Sequence, residues 1–163
     1  DVELVEKWLH HRNDTSGLQA LTSKGYIVDT MEVAAPWSKL VDIFNDVRAA
    51  FLGVEGARAA TCHLSHSYLD GACLYFTFAG DKTDDIDSAY IALWNAGQRA
   101  AIASGSNVSH HHGVGINRAR FMSESLGQSL HVLQTIKNTL DPTDIFNPGK
   151  LGLSTSRTGT NWP

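Results

Sequence analysis

The chain has 163 residues, 42% of them hydrophobic and 18% charged, enough for one ordinary core with a small appendage. A formal net charge of −4, with the 13 Lys and Arg scattered, excludes the basic stripe that a general nucleic-acid partner requires. No run approaches the roughly 18 apolar residues of a membrane span and no signal peptide opens the sequence, which points to a soluble, cytoplasmic protein. Asp1 leads directly into a helical pattern, so the chain reads as a piece of a longer one.

Val2, Val5, Trp8 and Leu9 share one helical face over residues 1–11, and Asn13-Asp14-Thr15-Ser16-Gly17 breaks that helix into a loop. Residues 25–34 alternate and are rich in β-branched side chains, as a strand would be. Pro36 then stands where a helix can begin, with Trp37, Leu40, Val41, Phe44, Val47 and Phe51 at helical spacing. Residues 58–67 and 71–79 read as two antiparallel strands around Tyr68-Leu69-Asp70-Gly71, whose Asp-Gly is a strong hairpin signal. In the second of them, alternation divides Leu74, Phe76 and Phe78 from Cys73, Tyr75 and Thr77.

Asp81-Lys82-Thr83-Asp84 caps a helix carrying Ile86, Tyr90, Leu93, Ala96, Ala100 and Ala103. A last helix is expected over 118–140, striped by Met122, Leu126, Leu130, Leu133, Ile136 and Leu140 and stopped by Pro142. Residues 1–153 therefore form one domain, and 154–163 a polar tail. The fold class is α+β: a small antiparallel sheet covered on one face by helices, ferredoxin-like, with the other face left for a site. The two cysteines, Cys62 and Cys73, read as buried thiols, with a disulfide between neighbouring strands left open.

Between the last two helices lies Ser109-His110-His111-His112-Gly113-Val114-Gly115. Three adjacent imidazoles concentrate proton-transfer capacity near neutral pH, and they share a pocket only on a loop, which Gly105, Ser106, Gly113 and Gly115 supply. A catalytic or ligand-binding loop is the leading reading, and a structural turn is the alternative. A metal site is disfavoured, because three consecutive residues rarely converge on one ion and no HxxxH pair or clustered cysteines complete a set. Arg118, near the expected start of the last helix, is a candidate to hold an anionic substrate group, with a solvated surface arginine as its alternative. His63 falls on the Tyr75 face by pairing across Asp70-Gly71 and is a second substrate-side candidate, whereas His66 reads as an ordinary partly buried histidine.

The histidine motif, the strand Gly71-Ala72-Cys73-Leu74-Tyr75-Phe76, Ala35-Pro36-Trp37 and the closing Asp141-Pro142-Thr143-Asp144-Ile145-Phe146-Asn147-Pro148-Gly149-Lys150 together carry a resemblance. Over roughly residues 25–153 the chain resembles the carboxy-terminal part of FAD-linked oxidases of the vanillyl-alcohol-oxidase type, and within them the alkylglycerone-phosphate synthase branch. The resemblance implies a two-part flavoenzyme whose amino-terminal domain cradles most of the FAD, while a cap domain such as this one covers the reactive ring and holds a small-molecule substrate. It places Tyr75 and His110, His111 and His112 at the catalytic positions and brings Asn147 and Lys150 back to the flavin. The partner it implies is the FAD-binding domain of the same protein; a homodimer stays open. The fragment alone is expected to bind FAD weakly and to be inactive.

Two positions depart from the branch. Alignment on Ala35-Pro36-Trp37 puts Leu18 near the place of its phosphate-gripping arginine, and Ile116 stands where a lysine often follows the histidine motif. Net oxidation of an alcohol or hydroxy acid is therefore favoured over redox-neutral exchange of an acyl for an alkyl group on dihydroxyacetone phosphate. A non-catalytic binding or dimerisation module is the reading from a different class.

Overall fold

The hairpin expected at Asp70-Gly71 supplies the central strand and one edge strand of the sheet. A computed structural model describes residues 1–12 and 14–157. In it the strands β1 (Ile27–Pro36), β2 (Ala57–Ser67) and β3 (Gly71–Gly80) form an antiparallel sheet in the order β1-β3-β2. Tyr68 N donates to Gly71 O at 2.8 Å and closes the turn. A Cβ at position 71 would sit 2.2 Å from the Ala35 carbonyl oxygen, so a glycine is what lets β1 and β3 pair at this corner.

The 13-residue helix α3 (Leu40–Leu52) carries the chain from β1 across to β2, leaving the centre for β3, which is the split βαβ arrangement of ferredoxin-like sheets. Met31 and Val33 of β1, Ala60 of β2 and Leu74, Phe76 and Phe78 of β3 point to one face and are buried. Against them lie Leu40, Ile43, Val47 and Phe51 of α3, together with Leu93, Trp94 and Ala101 of α4 (Ile86–Ala103). Asp85 caps α4 by accepting from Ser88 N at 3.1 Å. Tyr90 Oη and Trp94 Nε1 donate to Asp29 Oδ2 at 2.7 and 3.0 Å and fix α4 against β1.

Several elements differ from the sequence expectation. Pro36 ends β1 opposite Gly71, a short 3₁₀ turn covers Trp37–Lys39, and α3 starts only at Leu40. Its buried stripe therefore runs through Ile43, while Trp37 and Val41 face outward. Trp37 is drawn to the hairpin, where its Nε1 donates to Tyr68 O at 3.1 Å. The loop after the first helix, α1 (Val2–His11), holds an unexpected helix, α2 (Ser16–Thr22).

The single helix expected over 118–140 is three: α5 (Gly115–Ala119), α6 (Met122–Leu126) and α7 (Ser129–Leu140). The break between α6 and α7 falls at Gly127, whose φ of 52° and ψ of −128° no helix accommodates. The apolar stripe continues across the break, which is why its spacing concealed it. Residues 154–157, expected as the start of a tail, are tied down: Ser154 N and Oγ donate to Gln134 Oε1, and Ser156 N donates to Asp144 Oδ2. The rest of the expected tail, 158–163, lies outside the described residues.

Cys62 and Cys73 are both free and sit on opposite faces of the sheet, which removes the disulfide reading. Among the described residues no helix is long and apolar enough to cross a membrane. α1 and α7 bury no residue, so Trp8, Val132, Ile136 and Leu140 present apolar surface outward.

Helices α3 and α4 pack tightly at Gly97 of α4, where a Cβ would meet the Phe51 ring at 2.3 Å, and Phe51 is itself stacked on Phe78 at 4.5 Å. Gly97→Ala is expected to lower stability by about 1–3 kcal/mol through overpacking, read as a shift of the urea midpoint with unchanged slope.

Candidate active site

The open face of the sheet is organised by a carboxylate. Glu32, in the middle of β1, is fully buried although it faces away from the helix-covered core. The loop leaving α4 turns at Gly105 (φ 97°) and is pinned to the outer edge of β1: Ala34 N donates to Asn107 Oδ1 at 2.8 Å and Asn107 N donates to Ala34 O at 3.1 Å. From there the loop crosses the edge of β1 onto the open face. The backbone N–H groups of His110, His111 and His112 all donate to Glu32 Oε1, at 3.0, 3.2 and 3.0 Å, and the Ser109 hydroxyl donates to the same oxygen. Successive amides aimed at one point form an anion nest, and the anion is the protein's own.

The second oxygen, Glu32 Oε2, accepts from Arg118 Nη2 at 2.6 Å and lies 3.0 Å from His112 Nδ1. A carboxylate at Nδ1 holds the proton on that nitrogen and leaves Nε2 as the free acceptor. His112 Nε2 lies 3.5 Å from the Tyr75 hydroxyl, whose oxygen lies 3.3 Å from Thr30 Oγ1. Carboxylate, imidazole and phenol thus stand in line. The register explains the phenol's place: Glu32 of β1 and His63 of β2 both pair with Tyr75 of the central strand, so the three share one row. The His63 ring stacks on Tyr75 at 4.9 Å and 19°.

A family model described as FAD linked oxidases, C-terminal domain, matches residues 1–151. The chain belongs to that family. It is 34% identical to the alkyldihydroxyacetonephosphate synthase of Dictyostelium discoideum over 76% of this chain and 21% of that protein. It is 27% identical to an uncharacterized FAD-linked oxidoreductase of Escherichia coli (strain K12) over 93% of this chain and 34% of the other. A solved structure of an alkyldihydroxyacetonephosphate synthase superposes with a TM-score of 0.60 at 26% identity, covering 89% of this chain and 24% of that one. The chain thus spans between a fifth and a third of the length of these relatives.

Within this FAD-linked oxidase domain the sequence candidates fall into two groups. Tyr75, His63, His110, His111 and His112 converge on the open face, with the imidazoles of His111 and His112 4.4 Å apart and that of His111 5.9 Å from the Tyr75 ring. Asn147 and Lys150 stand in the closing loop after α7, and among the described residues no hydrogen bond or ring contact joins them to the histidines. Arg118 is not the solvated arginine expected as its alternative. It is buried, its Nη1 donates to Gly113 O at 3.1 Å, and its guanidinium covers the Trp94 ring at 4.9 Å, so the anion it holds is Glu32.

Sequence reasoning missed Glu32, Tyr68 and the position of His66. Tyr68 Oη lies 2.9 Å from His110 Nε2, and the exposed His66 ring lies 5.2 and 4.9 Å from those of His110 and His111. The one signal for Glu32 was a lone acid inside the apolar run Met31-Glu32-Val33-Ala34. A concavity of about 750 Å³ at the opposite end of the sheet, lined by Ile27, Gly80, Lys82 and Leu93, contains none of these groups. Chemistry, not hollow volume, locates the site.

Burial alone would raise the Glu32 carboxyl, but the Ser109 hydroxyl, the His112 amide and the Arg118 charge outweigh it and hold it below the usual carboxylate range. Burial and the neighbouring His112 lower the His111 imidazole, which favours its neutral form. Burial, with Glu32 nearby, pushes the Cys73 thiol up to about 11.

A depressed carboxyl contributes stability above the unfolded pKa of ~4.3 and loses it as pH falls through the folded value. Glu32→Gln sets an amide NH₂ against Arg118 and His112 and is expected to cost about 3–5 kcal/mol at pH 7, as removal of one partner from a buried ion pair does. Urea titrations from pH 7 to pH 3 check it: the gap between wild type and variant should shrink only below about pH 4.3.

Proposed function

We propose that this chain is the substrate-side domain of an FAD-dependent oxidoreductase, and that Tyr75 and His112 are its proton-transfer pair. The observation that carries the reading is the line Glu32–His112–Tyr75 on the uncovered face of the sheet. That face offers phenol and imidazole groups, and the sequence has no Gly-rich phosphate loop, so the fit is to the ring end of a flavin rather than its pyrophosphate. FAD, when bound, supplies the redox chemistry of the reaction. Its phosphates belong to another part of the protein, with Asn147 and Lys150 reaching the flavin from the closing loop.

In this reading the Tyr75 hydroxyl gives or takes the proton of the substrate's reacting oxygen, and His112 Nε2 is its exchange partner. Glu32 keeps His112 in the required tautomer and stabilises the imidazolium when it forms. Thr30 fixes the phenol rotor, and the stacked His63 ring bounds the substrate's place beside it. His110 and His111 line the same face, and Arg118 acts on substrate only through Glu32.

Net oxidation of an alcohol or hydroxy acid is favoured, because Leu18 and Ile116 lack the charges expected for gripping a phosphate. The alternative is exchange of an acyl for an alkyl group on dihydroxyacetone phosphate in ether-lipid synthesis, supported by the identity to the Dictyostelium synthase.

Tyr75→Phe and His112→Ala in the full-length flavoprotein are each expected to lower turnover about 10²-fold or more with flavin absorbance retained. The assays are oxygen consumption over a set of hydroxy acids and, in parallel, product formation from acyl-dihydroxyacetone phosphate plus fatty alcohol. Unchanged turnover in both variants removes the roles. A colourless full-length protein that resists FAD reconstitution supports a binding module instead.

A further inference from the structure

The loop divides its histidines. His112 belongs to Glu32 and Tyr75, whereas His110 and His111 turn the other way, towards β2 and β3. There, donor atoms of His66, Cys73, His110 and His111 all lie within 4.8 Å of one another. Cys73 is completely buried beneath this group, on the open side of β3 and two residues from Tyr75.

Two further observations give the cluster direction. The first is backbone strain. Strand alternation would send His66 to the face opposite His63 and Ser65, but a bulge between Ser65 and Ser67 interrupts the β2–β3 register and His66 takes a φ of 51°. A left-handed conformation at a non-glycine residue is a cost, and its result here is to bring the His66 ring against those of His110 and His111. The second is the orientation of the rings. The Tyr68 hydroxyl engages His110 Nε2 at 2.9 Å and the Ser65 hydroxyl engages His66 Nδ1 at 2.9 Å. Each takes one ring nitrogen, as outer partners of metal-binding histidines do. His110 Nδ1 and His111 Nδ1 share one proton in a hydrogen bond of 2.9 Å, and a cation that displaces this proton would find both nitrogens turned to one point.

We propose that His66, Cys73, His110 and His111 bind one borderline divalent cation of the zinc class. One thiolate with three imidazoles is a donor set that such ions prefer over calcium or magnesium, and four protein ligands make a closed site with a structural role. Tetrahedral bonds of about 2.0–2.3 Å put neighbouring donors about 3.3–3.7 Å apart, so the cluster closes by small side-chain rotations on binding. Cys73 enters as the thiolate and its proton passes to solvent. The ion joins the histidine loop to β2 and β3, on the side of the loop that Glu32 of β1 does not reach.

The test uses the full-length protein, stripped of metal with a chelator and titrated with Zn(II) in equilibrium dialysis, then with Co(II) followed by absorbance at wavelengths beyond the flavin bands. One equivalent of Zn(II), tetrahedral cobalt bands, and affinity reduced more than about tenfold in both Cys73→Ser and His66→Gln are expected. His66 is exposed, so His66→Gln keeps the test valid should Cys73→Ser fail to fold. No stoichiometric binding, octahedral cobalt bands, or binding that is unchanged in His66→Gln overturns the proposal. The readout is metal content rather than turnover, so its failure leaves the Tyr75–His112 pair untouched.

Discussion

A single carboxylate holds the open face together. Glu32 accepts three consecutive amides and a hydroxyl at one oxygen and faces an imidazole and a guanidinium at the other. A buried charge is tolerated only when it is paired and its lone pairs are filled, and here one residue of β1 meets that demand with donors drawn almost entirely from one distant loop. The loop in turn has no regular secondary structure to hold it. Its conformation is set by the anion beneath it and by the two bonds of Asn107 to the edge of β1.

The sheet makes this economical in residues. Because β3 is central and pairs in register with both neighbours, one row across the face carries Glu32, Tyr75 and His63. The opposite face is occupied by the packing of Phe51, Phe76 and Phe78 under α3 and α4, which fixes the pleat and therefore which side chains point outward. Core packing and site geometry are consequences of the same alternation. The family relationship covers the chain nearly throughout, while the matched relatives are about three to four times longer.

Much of this could be read from residue order. The Asp-Gly turn set the hairpin, alternation separated Phe76 from Tyr75, and pairing across the turn put His63 beside Tyr75. These are local or near-local signals. Glu32 was not readable, because an acid on a strand face reads as solvent-exposed, and the groups that bury it arrive 77 or more residues later. Arg118 was misjudged for the same reason: an arginine at a helix start gives no sign that its counter-charge lies on another element. His66 needed a bulge, whose extra residue reverses the alternation used to place it. The break at Gly127 was hidden because the apolar spacing of α6 and α7 continues through it.

The nest under the loop also bears on what a run of identical residues can do. When three neighbouring amides point inward at one atom, their side chains must splay outward like the ribs of a fan, and here His112 parts from the other two. His110 meets Tyr68, His111 meets His66, and His112 meets Tyr75. The triplet is therefore not three equivalent imidazoles: His112 faces Glu32 and Tyr75, whereas His110 and His111 stand together beside His66.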